Sequence, residues 1–263
     1  MRRVWGGLLL MAASGCVRSD FNLATQQQEY SITSTDKEVE IGRKVARKVE
    51  EELTVAADEP MQARVRAIGQ RIAAVCDRKE FVYTFTVIED EEANAFSLPG
   101  GYVFVNDGLI KKTAGDDELA AVIAHEVGHV TARHAVKRYE GSLGAQLAQL
   151  GAFAAMRGRS GAAARGLSLA LQTAQLAYAR QDELEADRLG VKYMKAAGFD
   201  PHGMLTFLQK LHDIDQDHTR YLPRGVVRPS YAMTHPYAPE RILAVKEALY
   251  GVADYIDYLN TPK

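Results

Sequence analysis

The stretch His125-Glu126-Val127-Gly128-His129 constrains this chain more than any other. It is an H-E-x-x-H pattern inside a long, proline-free run of apolar periodicity. On a helix, positions i and i+4 share a face. The two imidazoles can therefore aim one ring nitrogen each at a single metal ion. Glu126 sits one position round, close enough to take a proton from water held there. Two ligands on one helix also make a demand on the rest of the fold. A third protein ligand must come from elsewhere, and a position must stay open for water.

One extension of the motif places a third histidine six residues after the second, preceded by a glycine. That position is Ala135, so this branch is excluded. His134 lies one residue off, on the wrong face for the same metal, and reads as a helix-surface or supporting histidine. The other branch takes a carboxylate from a later helix. Arg180-Gln181-Asp182-Glu183-Leu184-Glu185-Ala186-Asp187 supplies it, with Glu183 and Asp187 again at i and i+4. Glu183 can ligate while Asp187 accepts an N–H from a ligand histidine and fixes its tautomer. Acidic helix faces are ordinarily just solvated, and this one gains weight only from the earlier motif.

Four blocks in order then carry a resemblance. They are Asn94 to Val105 (NAFSLPGGYVFV), the zinc-helix block at 125–129, Glu183-Leu184-Glu185-Ala186-Asp187, and Thr234-His235-Pro236 followed by Glu240-Arg241-Ile242. Together they resemble the zinc metallopeptidase family of the CAAX prenyl protease and HtpX, in its soluble periplasmic lipoprotein branch. The resemblance spans roughly residues 37 to 250. It implies a gluzincin with one Zn2+ per chain, with His125, His129 and Glu183 as ligands and Glu126 as base. It also implies that the segment holding Asn94, Ala95, Phe96, Gly100 and Gly101 pairs with an extended substrate backbone. From the residues alone, Pro99-Gly100-Gly101 is equally a hairpin turn. The implied activity is endoproteolysis of unfolded or misassembled cell-envelope polypeptides. The competing class is a non-catalytic or dual-role chaperone that assists outer-membrane protein assembly. Glu126 argues against a purely structural site. His235 is a candidate oxyanion donor or fourth zinc contact, and Arg241 a candidate partner of Asp187.

The N-terminus reads as an export signal. Met1-Arg2-Arg3 is basic, Val4 to Ala13 is mostly apolar, and Ala13-Ser14-Gly15-Cys16 resembles a lipobox with alanine in place of its usual leucine. The expectation is a signal peptide over 1–15 and a lipid-anchored polar tether over 16–34 starting at an acylated Cys16. A metallopeptidase domain follows over 35–263. Val17, with no aspartate there, resembles sorting to the outer membrane of the periplasm. Net charge is −2, and becomes about −4 when Arg2 and Arg3 leave with the leader. Nothing in that balance points to nucleic acid. With Cys16 acylated, only Cys76 remains, and it ends the apolar stripe Val65, Ile68, Ile72, Val75 as a core thiol.

The pattern predicts an α+β fold, mostly helical and zincin-like, with a small β-sheet beside the zinc helix. Thr35 and Glu38 suggest a capping box, and Pro60 suits a first helical turn. Phe81 to Ile88 and Tyr102 to Asn106 read as strands. Asp116, Asp117 and Glu118 suit the start of the zinc helix. A helix from about Leu167 to Ala197 carries Glu183, and Asp200-Pro201 and Pro239 open two more. The apolar runs within 141–175 are each too short to span a bilayer. They read first as a helical hairpin on the domain, with a lid, an oligomer contact or a lipid-resting surface as the other possibilities.

Overall fold

The computed structural model describes residues 17–143, 162–221, 235–236 and 238–251. The expected leader, Cys16 and most of the apolar stretch after Leu143 lie outside the described residues. An N-terminal hairpin, β1 (Arg18–Asn22) and β2 (Gln27–Ser31), precedes helices α1 (Thr35–Glu52) and α2 (Glu59–Val75). Strands β3 (Thr84–Ile88), β4 (Ala95–Leu98) and β5 (Tyr102–Asn106) follow, then the short α3 (Asp107–Ile110). The helices α4 (Asp116–Thr131), α5 (134–143), α6 (Ala162–Ala197), α7 (His202–Tyr221) and α8 (Ala238–Tyr250) complete the order. The fold is α+β and mostly helical.

The helix α4 runs through the middle, with every residue from Glu118 to Thr131 buried. Its acidic first turn is used locally: Glu118 Oε2 accepts from the Ala114 N–H at 2.7 Å and pairs with Lys210. On one side α4 meets α6 at unusually close range. A Cβ at Gly128 would stand 2.8 Å from the Ala186 carbonyl oxygen, so only glycine lets the two backbones approach this far. On its other sides α4 packs with α2, α7 and the sheet. Ile72, Leu119, Ile123, Tyr193, Met194, Leu208 and Val245 lie in the shared core, each 1% exposed or less. Full burial of a side chain of this kind stabilises by about 1.5–3 kcal/mol.

The sheet has the order β3-β5-β4, parallel across β3/β5 and antiparallel across β4/β5. Alternation sends Phe85, Val87, Val103, Val105 and Ala95 to the main core. Ile88, Phe104 and Phe96 face Ala46 of α1 on the other side. The strand expected from Phe81 begins only at Thr84, the first residue in register with β5. Phe81 instead packs beneath the Arg78 guanidinium, 4.8 Å from the ring centre.

Two local expectations are corrected. The cap of α1 is Ser34, whose Oγ accepts from the Lys37 N–H at 3.3 Å, and not a Thr35–Glu38 box. Glu38 turns inward instead, where Arg78 grips both its carboxylate oxygens and Arg133 reaches one of them. The polar stretch expected as a tether through residue 34 contains a hairpin fastened to the domain. Asn22 Nδ2 donates to the Thr131 carbonyl at 3.1 Å, Ser31 Oγ donates to Glu140 at 2.7 Å, and Lys137 pairs with Glu29 at 2.7 Å. Its polarity reflects bonds to the body of the protein rather than solvation. Cys76 is buried, as its stripe suggested, and burial pushes its thiol pKa up. Among the described residues, no helix is long and apolar enough to cross a membrane.

Candidate metal centre

The close crossing of α4 and α6 brings the two spaced motifs together. His125 and His129 present their Nε2 atoms 2.9 Å apart. Glu183 places one carboxylate oxygen 3.3 Å from His125 Nε2 and the other 3.4 Å from His129 Nε2. His235, just before α8, adds its Nδ1 at 3.2 Å from His125 Nε2 and 3.1 Å from Glu183. One donor atom from each of these four buried side chains lies within 4.8 Å of the others.

The donor set fits a zinc-sized ion. Zinc–nitrogen and zinc–oxygen bonds of about 2.0–2.2 Å in a tetrahedron put neighbouring donors about 3.3–3.6 Å apart. The separations here run from 2.9 to 3.4 Å. The chemistry fits too: two imidazoles, a third imidazole and a carboxylate are borderline ligands of the kind zinc takes.

Each of the two paired histidines has its other nitrogen held. His125 Nδ1–H donates to Asp187 Oδ1 at 2.8 Å. Asp187, fully buried, is clamped by Arg241, whose Nε and Nη2 each donate at 2.8 Å. Arg241 Nη1 also donates to the His235 carbonyl at 3.1 Å, tying the fourth donor's backbone to the same guanidinium. His129 Nδ1 lies 2.8 Å from His134 Nδ1. With Nε2 of His129 turned to the donor set, its Nδ1 carries the proton and His134 accepts. His134 Nε2–H then donates to Glu185 Oε2 at 3.1 Å. Such partners orient a ligand ring and raise its basicity. His134, fully buried, thus supports the site rather than lying on a helix surface. The turn at Arg133 (φ 58°), just after α4 ends, is what brings His134 beside that ring's far nitrogen.

Electrostatics follow the same division. Burial and the charge of Arg241 work to lower the His125 pKa, but Asp187 and Glu183 outweigh them and raise it to about 9. Burial, and repulsion from His125, push His129 well below its ordinary value. Burial works to raise Glu183, yet the imidazoles of His235, His125 and His129 hold its carboxylate well below the usual range. Asp187 is likewise lowered against burial, by Arg241 first.

Glu126 is 1% exposed. Its Oε1 is buried and accepts no hydrogen bond from the described residues; His235 Nε2 is 3.3 Å away, out of hydrogen-bond geometry. Beside His129 a small groove of about 10 Å³ is lined by Glu38, Ser97, Leu98, Pro99, Arg133 and Val136. Of the residues expected to pair with a substrate backbone, Ala95 and Phe96 lie in β4, at the edge of the sheet. Asn94 Oδ1 and carbonyl serve the local turn and β5, and Ala95 is core. Phe96 stacks on Phe104 with ring centres 5.1 Å apart. Gly100 and Gly101 have φ of 77° and 90° and pack against Val39 and Phe81. They are turn residues packed against the chain itself. Ser97, Leu98 and Pro99, two or three positions further along, are the ones beside the metal ligand. β4 lies at the sheet's edge, paired only with β5.

Comparison with known proteins supplies the family. The profile described as Peptidase family M48 matches residues 59–249, from α2 to the end of α8. The beta-barrel assembly-enhancing protease of Escherichia coli (strain K12) is 30% identical over 219 residues, covering 81% of this chain and 44% of that protein. The putative beta-barrel assembly-enhancing protease of Vibrio cholerae is 31% identical over 240 residues, 87% of this chain and 48% of that protein. The mitochondrial metalloendopeptidase OMA1 of Schizosaccharomyces pombe is 31% identical over 190 residues, 72% of this chain and 53% of that protein. The chain spans about half the length of the curated relatives it matches. Over that span, the chain belongs to peptidase family M48, a family of metal-dependent peptidases.

Proposed function

We propose that the chain is a zinc-dependent endopeptidase that cleaves unfolded or misassembled polypeptides of the bacterial cell envelope. The observation that carries the reading is Glu126: a buried carboxylate oxygen without a hydrogen-bond donor among the described residues, directly after one member of a convergent donor set. An unsatisfied buried carboxylate costs stability, and a purely structural metal site has no use for one.

His125, His129 and Glu183 would hold the ion, with His235 as fourth donor. When bound, zinc acidifies water and polarises a carbonyl. Glu126 removes the proton of the attacking water and returns it to the leaving amine. Asp187 and Arg241 hold the His125 tautomer, and His134 with Glu185 holds that of His129. His235 fills the position that water needs, so a substrate finds room only when His235 withdraws. Pro236 and the Arg241 bond to the His235 carbonyl govern that movement. An extended chain laid in the groove meets the edge strand β4, which reads main chain and suits unfolded segments of many sequences.

The envelope setting rests on the leader and the lipobox-like Ala13-Ser14-Gly15-Cys16, from which we infer a periplasmic chain acylated at Cys16 and held to the outer membrane. Two of the relatives are named for enhancing β-barrel assembly, which supports a second role beside cleavage, as an assembly factor for outer-membrane proteins.

The test compares wild type with Glu126→Gln on casein, with and without a chelator, alongside metal content by elemental mass spectrometry. The variant retains zinc and loses at least about a hundredfold in kcat, and the chelator abolishes wild-type cleavage. Undiminished cleavage by zinc-loaded Glu126→Gln would refute the mechanism.

A further inference from the structure

The N-terminal hairpin is built inside out. Asn22 and Ser31 face the protein and are each 8% exposed. Phe21 and Tyr30, on the opposite face, are 56% and 72% exposed. Val17, Leu23 and Ile32 flank the paired strands and are exposed as well. These three are 62%, 63% and 60% exposed. The register sets Ser19 opposite Tyr30 and Phe21 opposite Gln28, so this face carries no charge within the paired strands. Asp20 and Glu29, paired with each other, lie on the other face. Five large apolar side chains exposed on one small hairpin present an interaction surface.

The chain itself indicates the occupant. Cys16 immediately precedes Val17, the first residue of the apolar face. The argument rests on the acylation proposed above. A diacylglyceryl group on Cys16 puts its acyl chains at the end of the hairpin where Val17 meets Ile32, with no intervening linker. One acyl signal gives weak attachment, and stable anchoring takes a second contribution. We propose that the uncharged outer face of the hairpin seats on the lipid bilayer beside Cys16 and supplies that contribution. The hairpin's inner face fastens it to the end of the metal-binding helix. Asn22 donates to the Thr131 carbonyl, and Arg133 donates to the Thr33 carbonyl at 2.7 Å. Seating therefore sets how the groove beside His129 faces the membrane.

Trp5, in the leader, is the chain's single tryptophan. The full chain carrying Trp5→Phe and Phe21→Trp thus reports from the hairpin face alone. It is purified from the producing bacterium, and the mass of its N-terminus is measured. It is then mixed with vesicles of phosphatidylethanolamine and phosphatidylglycerol bearing brominated acyl chains. The expected result is a blue-shifted emission quenched by the bromines, with roughly threefold less quenching when Tyr30→Ser and Ile32→Ser are added. An acylated chain bound to vesicles with unshifted, unquenched emission overturns the seating and leaves acylation standing. Quenching in a chain whose mass shows no acylation supports the seating and overturns the acylation. A chain neither acylated nor quenched overturns both. A blue shift that appears without vesicles and grows with protein concentration assigns the face to a second copy and overturns the lipid proposal.

Discussion

The metal centre and the N-terminal hairpin break the same rule in opposite directions. The centre buries Arg241, Asp187, Glu183 and four histidines, groups that prefer water. The hairpin holds Phe21, Leu23 and Tyr30 out in water. In the centre these groups are tied to one another, so most of the cost of burial is met within the chain, and Glu126 Oε1 alone among its side chains is left without a donor among the described residues. On the hairpin's outer face the described residues leave the apolar groups exposed. A region that violates the pattern and satisfies itself works by its own geometry. A region that violates it and stays unsatisfied is completed by something outside.

The contrast can be broken by substitution. Arg241→Met leaves Asp187 buried without its clamp and should destabilise the fold by about 3–5 kcal/mol, read as a lower denaturant midpoint. A midpoint within error of wild type would show the centre to be less interdependent than its bonds imply. His134→Ala frees the His129 ring and should weaken zinc binding about 10–100-fold. Competition with a chromophoric chelator measures it, and Glu185→Gln should fall in the same direction by less. Unchanged affinity in both would remove the His134–Glu185 pair from the site. Smallest of all, Phe21→Ser with Tyr30→Ser should change stability in solution by no more than about 0.5 kcal/mol. A larger loss would mean the outer face packs against this chain after all.

The two regions were also unequally legible. Spacing alone put His125 with His129 and Glu183 with Asp187, because a helix converts i, i+4 into one face. The structure has the donor atoms of His125, His129 and Glu183 converging. Arg241 was suggested as a partner of Asp187, and its guanidinium lies there. The part of His134 was harder to read. Judged against the metal it sits on the wrong face, and only the far nitrogen of His129 makes sense of it. Gly100 and Gly101 read equally as a hairpin turn or as room for another backbone, and they form a turn packed against Val39 and Phe81. The hairpin was missed for want of turn chemistry. Its bend carries Gln26 at φ 54° in place of glycine or asparagine, and its inward residues are polar. Alternation that reads apolar on the wrong side looks like no strand at all.

The glycine between the two histidines has a consequence for every variant of this site. Metal–donor distances hold to about ±0.2 Å. At Gly128 the smallest side chain would sit 2.8 Å from Ala186, against 3.4 Å for ordinary contact, so α4 and α6 would have to part by about 0.6 Å. That displacement separates the histidines of one helix from the carboxylate of the other by three times the permitted error. Gly128 touches no ligand atom, yet it acts as the machining tolerance of the centre. A position that a motif writes as arbitrary is here the one that holds its dimensions.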